Sequence, residues 1–336
     1  MDADKLSILN KKFYSLIEKL PEYPTIDFMR FLLRVSPIEK IFDYEVHDES
    51  LKTVLRGPPD GYNLELENPV ILAAGYEPEI VEKSLKMGFG AGTAKCSKDT
   101  REGNKGRTII RTPEGPLNSV GYKNPGMIAI RKYLGKIEER VSPSKGIILN
   151  ISDSCIDNYC SVIDYMDDVP VIKAFEIDNC LNSPESERLD FFSNPDFAKD
   201  LFRETKQLTE KPLILKLPRS GDCQEMHEII KIALNNRYTI LNYANTKRVE
   251  DSRFVSGKGG MSGPALFEDT LENVEMLHRE FGSYADIIAT GGIYSPACAY
   301  LLWKKGAKAV SYITAFPSDI FLAKRINRVF SESGFK

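Results

Sequence analysis

Residues 285–316 read ADIIATGGIYSPACAYLLWKKGAKAVSYITAF, and the pattern inside them decides the fold. An apolar run stops at Thr290-Gly291-Gly292, a helical stretch follows, and a second apolar run stops at Ile313-Thr314. The paired glycines leave a turn without Cβ atoms just ahead of a helix start. There, backbone N–H groups and the positive helix end favour a phosphate. In a barrel of parallel strands, the ends of the last two strands are a frequent phosphate site. The stretch therefore predicts a nucleotide cofactor held on a barrel.

Outward from this stretch, short apolar runs alternate with helical patterns from Pro69 onward. The runs are Val70–Ala74, Ala91–Cys96, Gly146–Ile151, Val171–Ile177, Leu213–Leu217, Thr239–Tyr243, Asp286–Ala289 and Ala309–Ile313. Several are continuous rather than alternating, as strands buried on both faces must be. Eight strand-then-helix repeats over about 250 residues fit a closed (β/α)8 TIM barrel better than an open doubly wound sheet.

The sequence divides into residues 1–65, an N-terminal helical extension with a hairpin, and 66–336, the barrel. Asn10–Leu20 and Ile26–Val35 read as two helices parted by Pro21-Glu22-Tyr23-Pro24. Phe28, Met29, Phe31, Leu32 and Leu33 make the second one strongly apolar, beside Arg30 and Arg34. Such a face would dock on the barrel, on a partner or on a membrane surface. The stretch from Asp60-Gly61-Tyr62 to Glu67-Asn68-Pro69 reads as a hairpin closing the barrel floor.

Composition narrows the function. The chain has 336 residues, 42% hydrophobic and 28% charged, an ordinary globular balance. With 45 basic against 48 acidic residues the net charge is −3, a poor match to a general nucleic-acid binder. Six cysteines lie far apart with no C-x-x-C and no secretory leader, which suggests reduced thiols in the cytoplasm. Three scattered histidines argue against a zinc site, so no metal is expected.

The second strand ends in Gly92-Thr93-Ala94-Lys95-Cys96-Ser97 and leads to Arg101-Glu102-Gly103-Asn104-Lys105-Gly106-Arg107. Next comes Asn118-Ser119-Val120-Gly121-Tyr122-Lys123-Asn124-Pro125-Gly126. Downstream stand Leu213-Ile214-Leu215-Lys216, then Asn245-Thr246, Gly259-Gly260-Met261-Ser262-Gly263 and Thr290-Gly291-Gly292. These motifs in this order, at strand ends and the loops that follow them, resemble the dihydroorotate dehydrogenase family of FMN-binding barrels, although the loop before Arg107 is one residue shorter here.

The resemblance implies FMN held by Ala73, Ala74, Gly75, Thr93, Lys95, Asn150, Lys216, Ser262, Gly263, Gly291, Gly292, Ile313 and Thr314. Asn118, Gly121, Asn182, Asn245 and Thr246 would bind the substrate. Amide side chains offer both donors and acceptors, which suits a pyrimidine ring with alternating N–H and C=O groups. An ammonium such as Lys216 suits the negative charge a reduced flavin carries. The implied reaction is oxidation of dihydroorotate to orotate. The alternatives are an FMN barrel acting on another dihydropyrimidine or an enone, and a flavin-binding homologue with altered chemistry.

The family writes its catalytic loop after the fourth strand as N-x-S-[CS]-P-N, whereas this chain has Ile177-Asp178-Asn179-Cys180-Leu181-Asn182-Ser183-Pro184. Matched on Cys-x-Asn, Cys180 takes the position of the base and Asn182 that of a substrate asparagine. Matched along the strand without a gap, Asp178 replaces the first asparagine and Leu181 falls where the base belongs. A thiol serves as a base once nearby cations lower its pKa. Residues 1–65 resemble the extension of the quinone-linked branch, and Thr93-Ala94-Lys95 the soluble branch, so the acceptor is expected to be quinone or fumarate. A homodimer and a peripheral contact with the inner face of the cell membrane remain open.

Overall fold

The computed structural model describes residues 48–179, 191–219 and 223–335. The chain enters through a hairpin of β1 (Thr53–Leu55) and β2 (Leu64–Leu66). It continues through β3 (Val70–Leu72), α1 (Pro78–Leu85), β4 (Ala91–Cys96), the short β5 (Ile109–Ile110) and β6 (Leu117–Asn118), α2 (Gly126–Ile137) and β7 (Gly146–Ile151). Then come α3 (Ile156–Met166), β8 (Ile172–Ile177), α4 (Pro195–Thr205), β9 (Leu213–Leu217), α5 (Cys223–Leu234) and β10 (Tyr238–Tyr243). The remainder is β11 (Lys247–Glu250), β12 (Lys258–Met261), α6 (Phe267–Phe281), β13 (Asp286–Thr290), α7 (Pro296–Lys304), β14 (Ala309–Tyr312) and α8 (Leu322–Glu332).

Eight strands, β3, β4, β7, β8, β9, β10, β13 and β14, pair in parallel and close on themselves, so the barrel read from the apolar runs is present. Their outward side chains, among them Leu149, Phe175, Leu215 and Leu241, join the helices in one apolar cluster. Their inward side chains begin with Ile71, Ala91, Ile148, Ala174, Ile214, Ile240, Ile288 and Ala309, which cluster with Leu55, Leu64 and Leu66 of the hairpin. Apolar side chains on both faces explain why the strands read as unbroken runs. Each buried isoleucine or leucine side chain in this floor contributes about 1.5–3 kcal/mol.

The hairpin differs from the one expected between Asp60 and Pro69. Its first arm lies upstream at Thr53–Leu55, and Asp60 and Gly61 fall in the connection. Leu55 supplies the apolar side chain that faces the barrel floor with Leu64 and Leu66, and nothing between Asp60 and Asn63 can. Thr239 Oγ1 donates to the Arg56 carbonyl at 2.6 Å and Arg56 N–H to Asp286 at 2.6 Å, sewing the hairpin to β10 and β13.

At the opposite end, the connection after β4 supplies β5 and β6 and that after β10 supplies β11 and β12. Together they form an antiparallel sheet in the order β11-β12-β6-β5. Helix starts are locally specified: Asn194 accepts from Phe197 N–H at 3.1 Å ahead of α4, and Ser295 caps α7, both with proline in the first turn.

Candidate active site at the carboxyl ends of the barrel strands

Side chains two residues apart share a face of a strand. Two residues beyond the apolar floor, the inward positions are therefore Ala73, Thr93, Asn150, Glu176, Lys216, Asn242, Thr290 and Ser311. The barrel thus changes from an aliphatic floor to a polar layer within one step. The register agrees: Lys95 lies beside Asn150, Asn150 beside Glu176, and Lys216 beside Asn242.

Glu176 is the hub of this layer. Its Oε1 accepts from Asn150 Nδ2 at 2.7 Å and lies 3.5 Å from Lys216 Nζ, and its Oε2 accepts from Asn242 Nδ2. The two amides are held in turn: Thr290 Oγ1 donates to Asn242 Oδ1 at 2.6 Å, and Tyr122 Oη to Asn150 Oδ1 at 2.6 Å. Both charged partners are buried, with 1% and 6% of the side chain exposed. A carboxylate there is tolerable because an ammonium and two amide donors surround it.

Asp178 stands one step above. Its Oδ2 accepts from Asn150 Nδ2 at 3.1 Å and its Oδ1 from Asn245 Nδ2 at 3.1 Å. Its backbone is fixed on both sides: its N–H donates to the Ile151 carbonyl at 2.8 Å, and its carbonyl accepts from Tyr159 Oη at 3.0 Å. Burial raises its pKa to about 6; Glu176 pushes the same way, against Lys216 and Lys95.

Several expected site residues converge here through observed contacts. Asn150 and Lys216 meet at Glu176, Asn245 joins them at Asp178, and Thr246 donates its N–H to Asn245 Oδ1 at 2.8 Å. Lys95 lies 5.7 Å above the ring of Tyr122. Thr93 and Ala73 occupy the same polar layer, with Ala74 half-buried after β3. A Cβ on Gly75 would sit 2.2 Å from Ile313 Cδ1, so the chain ends after β3 and β14 touch, with Thr314 next along.

The glycine turns meet as well, with one change. The helix start against Gly292 is that of α6, not of the following α7: a Cβ on Gly292 would lie 2.5 Å from Phe267 N. Gly291 and Gly292 both have positive φ. Ser262 and Gly263 precede α6; Ser262 N–H donates to the Pro116 carbonyl at 2.9 Å, and Gly263 packs on Gly115.

Asn118 and Gly121 belong instead to the antiparallel sheet and its exit. Asn118 Nδ2 donates to the Gly260 carbonyl at 3.2 Å, and Gly121 packs on Gly103 and Asn104. No contact among the described residues joins either directly to Asp178 or Lys216. Cys180 and Asn182 lie outside the described residues.

Glu176, Asn242, Ser311 and Arg219 were not anticipated. Counting by twos from the apolar floor would have found the first three. Arg219 donates to the Asn245 carbonyl at 3.0 Å and the Thr290 carbonyl at 2.8 Å, and pairs with Asp269. It thereby ties the ends of β10 and β13 to α6, and a Cβ on Gly291 would lie 2.3 Å from its Nη2. No sequence pattern marks it.

The residues present fit a flavin mononucleotide. The Ser311 hydroxyl is buried in the polar layer and has no hydrogen-bond partner among the described residues. The adjoining positive-φ glycines allow close approach of backbone to a phosphate. Among the described residues, no helix is long and apolar enough to cross a membrane, and no group of His, Cys, Asp and Glu could hold a metal ion.

Comparison with known proteins agrees with this geometry. The chain is 29% identical over 269 residues to a putative dihydroorotate dehydrogenase A (fumarate) of Aquifex aeolicus, covering 76% of this chain and 85% of that one. It is 28% identical over 273 residues to the catalytic subunit of dihydroorotate dehydrogenase B (NAD(+)) of Geobacillus kaustophilus, covering 78% and 86%. In fold it is similar to the Eimeria tenella DHODH crystallised with ferulenol, with a TM-score of 0.78 at 20% identity over 96% of this chain and 95% of that one. The family model for dihydroorotate dehydrogenase matches residues 60–333, and the chain belongs to that family of oxidoreductases.

Proposed function

We propose that this protein oxidises dihydroorotate to orotate with FMN as its cofactor, a step of pyrimidine biosynthesis. The observation that carries the reading is the polar layer of Thr93, Asn150, Glu176, Lys216, Asn242, Thr290 and Ser311, set directly on an apolar floor at the carboxyl ends of the barrel strands. When bound, FMN supplies the acceptor for the hydride that leaves C6 of the substrate.

The chain's own residues bind, orient and move the proton. Gly291, Gly292, Ser262, Gly263 and Thr314 would hold the phosphate end, with Ala73, Ala74, Gly75 and Ile313 lining the approach. Lys216, Lys95, Thr93 and Asn150 would hold the ring edge, where the Lys216 ammonium favours negative charge. Asn245 and Thr246, with Asn118 and Gly121 from the antiparallel sheet and Asn182 from the loop, would orient the pyrimidine. Cys180 takes the proton from C5 in the base role.

For the acceptor, fumarate and quinone are the two expected from sequence, and the name of the Geobacillus relative adds NAD. The reading also places the protein in the cytoplasm, with residues 1–65 meeting the membrane surface when quinone is the acceptor and a homodimer as the assembly that goes with a soluble acceptor.

The test is anaerobic mixing. The purified protein is yellow, and dihydroorotate bleaches its visible flavin absorbance, which each of the three acceptors then restores or fails to restore. Cys180→Ala keeps the flavin and slows the bleaching by a factor on the order of 10²–10⁴. A colourless protein that cannot be reconstituted with FMN, or a flavin that dihydroorotate never bleaches, refutes the reading.

A further inference from the structure

Asp178 is an acceptor-only group where the site would otherwise present amides. One oxygen takes the Asn150 amide and the other the Asn245 amide, so a ring ligand held by Asn245 lies beside a carboxylate. The charges around it are already paired. Glu176 faces it from β8, Lys216 from β9 and Lys95 from β4. Beyond them, Arg219 is paired with Asp269 and Arg101 with Asp153 at 2.8 Å. Two buried carboxylates and two ammonium groups form a balanced set, and an anionic ligand would add a third negative charge to it. In a site shielded from water, that repulsion is not screened.

We propose that Asp178 is the specificity-determining group of this site, and that dihydroorotate and orotate bind to the form in which Asp178 carries a proton. The inference rests on the proposed reading of the site. Protonation removes the repelling charge and turns one oxygen into a donor that the ligand carboxylate or a ring carbonyl can accept from. With burial holding the Asp178 pKa at about 6, the competent form is scarce, but present, at neutral pH. Binding of the anion therefore takes up one proton above that pH, and a ring without a carboxylate needs none.

The experiment titrates the FMN-loaded protein with orotate from pH 5 to 8.5, following the flavin spectrum, with calorimetry in buffers of different ionisation enthalpy to count protons. The expected wild-type Kd is flat below about pH 6 and rises about tenfold per pH unit above it. The calorimetry shows uptake of close to one proton at pH 8. Asp178→Asn binds orotate with a Kd that is flat across the range and roughly a hundredfold tighter than wild type at pH 8. A wild-type Kd independent of pH with no proton uptake overturns the inference and leaves the dihydroorotate reading standing. The same slope in Asp178→Asn as in wild type overturns it equally. Absence of orotate binding at every pH in a flavin-loaded protein overturns both. The calorimetric result on the wild type decides the matter even where the variant fails to fold.

Discussion

Replacing Glu176 with glutamine changes one atom and should damage the whole polar layer. The carboxylate accepts from Asn150 at 2.7 Å through one oxygen and from Asn242 through the other, and balances Lys216 at 3.5 Å. A glutamine keeps a single acceptor, so its NH2 must face the NH2 of one of the two asparagines. Asn150 cannot turn over to relieve this, because its Nδ2 also donates to Asp178 at 3.1 Å, and Asn242 turns only if the Thr290 hydroxyl changes from donor to acceptor. Asn242 Oδ1 is held by Thr290 and Asn150 Oδ1 by Tyr122, each at 2.6 Å. The variant thus loses a charge-assisted hydrogen bond, about 1.5–3 kcal/mol, and leaves the Lys216 ammonium buried without its carboxylate. Breaking one side of a buried pair costs about 3–5 kcal/mol in all, a large part of a stability on the order of 5–15 kcal/mol. Urea unfolding measures it, followed by far-UV circular dichroism and by the single tryptophan, Trp303 on α7, whose coincidence tests for two-state behaviour. The double variant Glu176→Gln with Lys216→Met removes the stranded ammonium and should lose less than the two single losses added, by about 1–3 kcal/mol. A loss below about 1 kcal/mol for Glu176→Gln, or strict additivity in the cycle, would refute the hub.

Two further outcomes follow from the same geometry. Gly292→Ala must place a Cβ 2.4 Å from Phe267 Cα at a left-handed backbone position, at about 1–2 kcal/mol for the conformation and about 1–3 kcal/mol for the overlap. The turn should open, and the protein should emerge from desalting without visible flavin while keeping its helical circular dichroism; retention of FMN at wild-type affinity would count against the phosphate turn. Asp178 has its folded pKa raised from 3.8 to about 6, so its contribution to stability is full below about pH 3.8 and is lost as pH rises through 6. That displacement is worth about 3 kcal/mol, so the stability of wild type relative to Asp178→Asn, read from urea unfolding, should fall by about that much between pH 4 and pH 8. A gap that does not change with pH would show that Asp178 is not held in this state.

The parts of the molecule that could be read from sequence share one property: their signal is local. A strand covered on both faces must be apolar throughout, so β7, β9 and β13 stand out as runs. A lysine or an asparagine inside such a run is conspicuous, which is why Lys95, Lys216 and Asn150 were found. Arg219 fails that test, since its meaning depends on Asp269 and Thr290, 50 and 71 residues away. The hairpin strand β1 fails it differently, because three residues are too few to show a period.

Glu176 was legible, but only with the face known. Ala174 lies on the apolar floor, and counting by twos reaches Glu176 and then Asp178. Shifting β8 by one residue would bring Phe175 inward and turn Glu176 out among Leu149, Phe202 and the covering helices. A carboxylate there would find no donor and cost several kcal/mol, while Lys216 lost its partner. The polar layer therefore locks the register of β8 as far as Asp178, and the one-residue offset that a match on Cys-x-Asn needs cannot lie within the strand. This is why an aspartate, and not an amide, receives the Asn245 side chain.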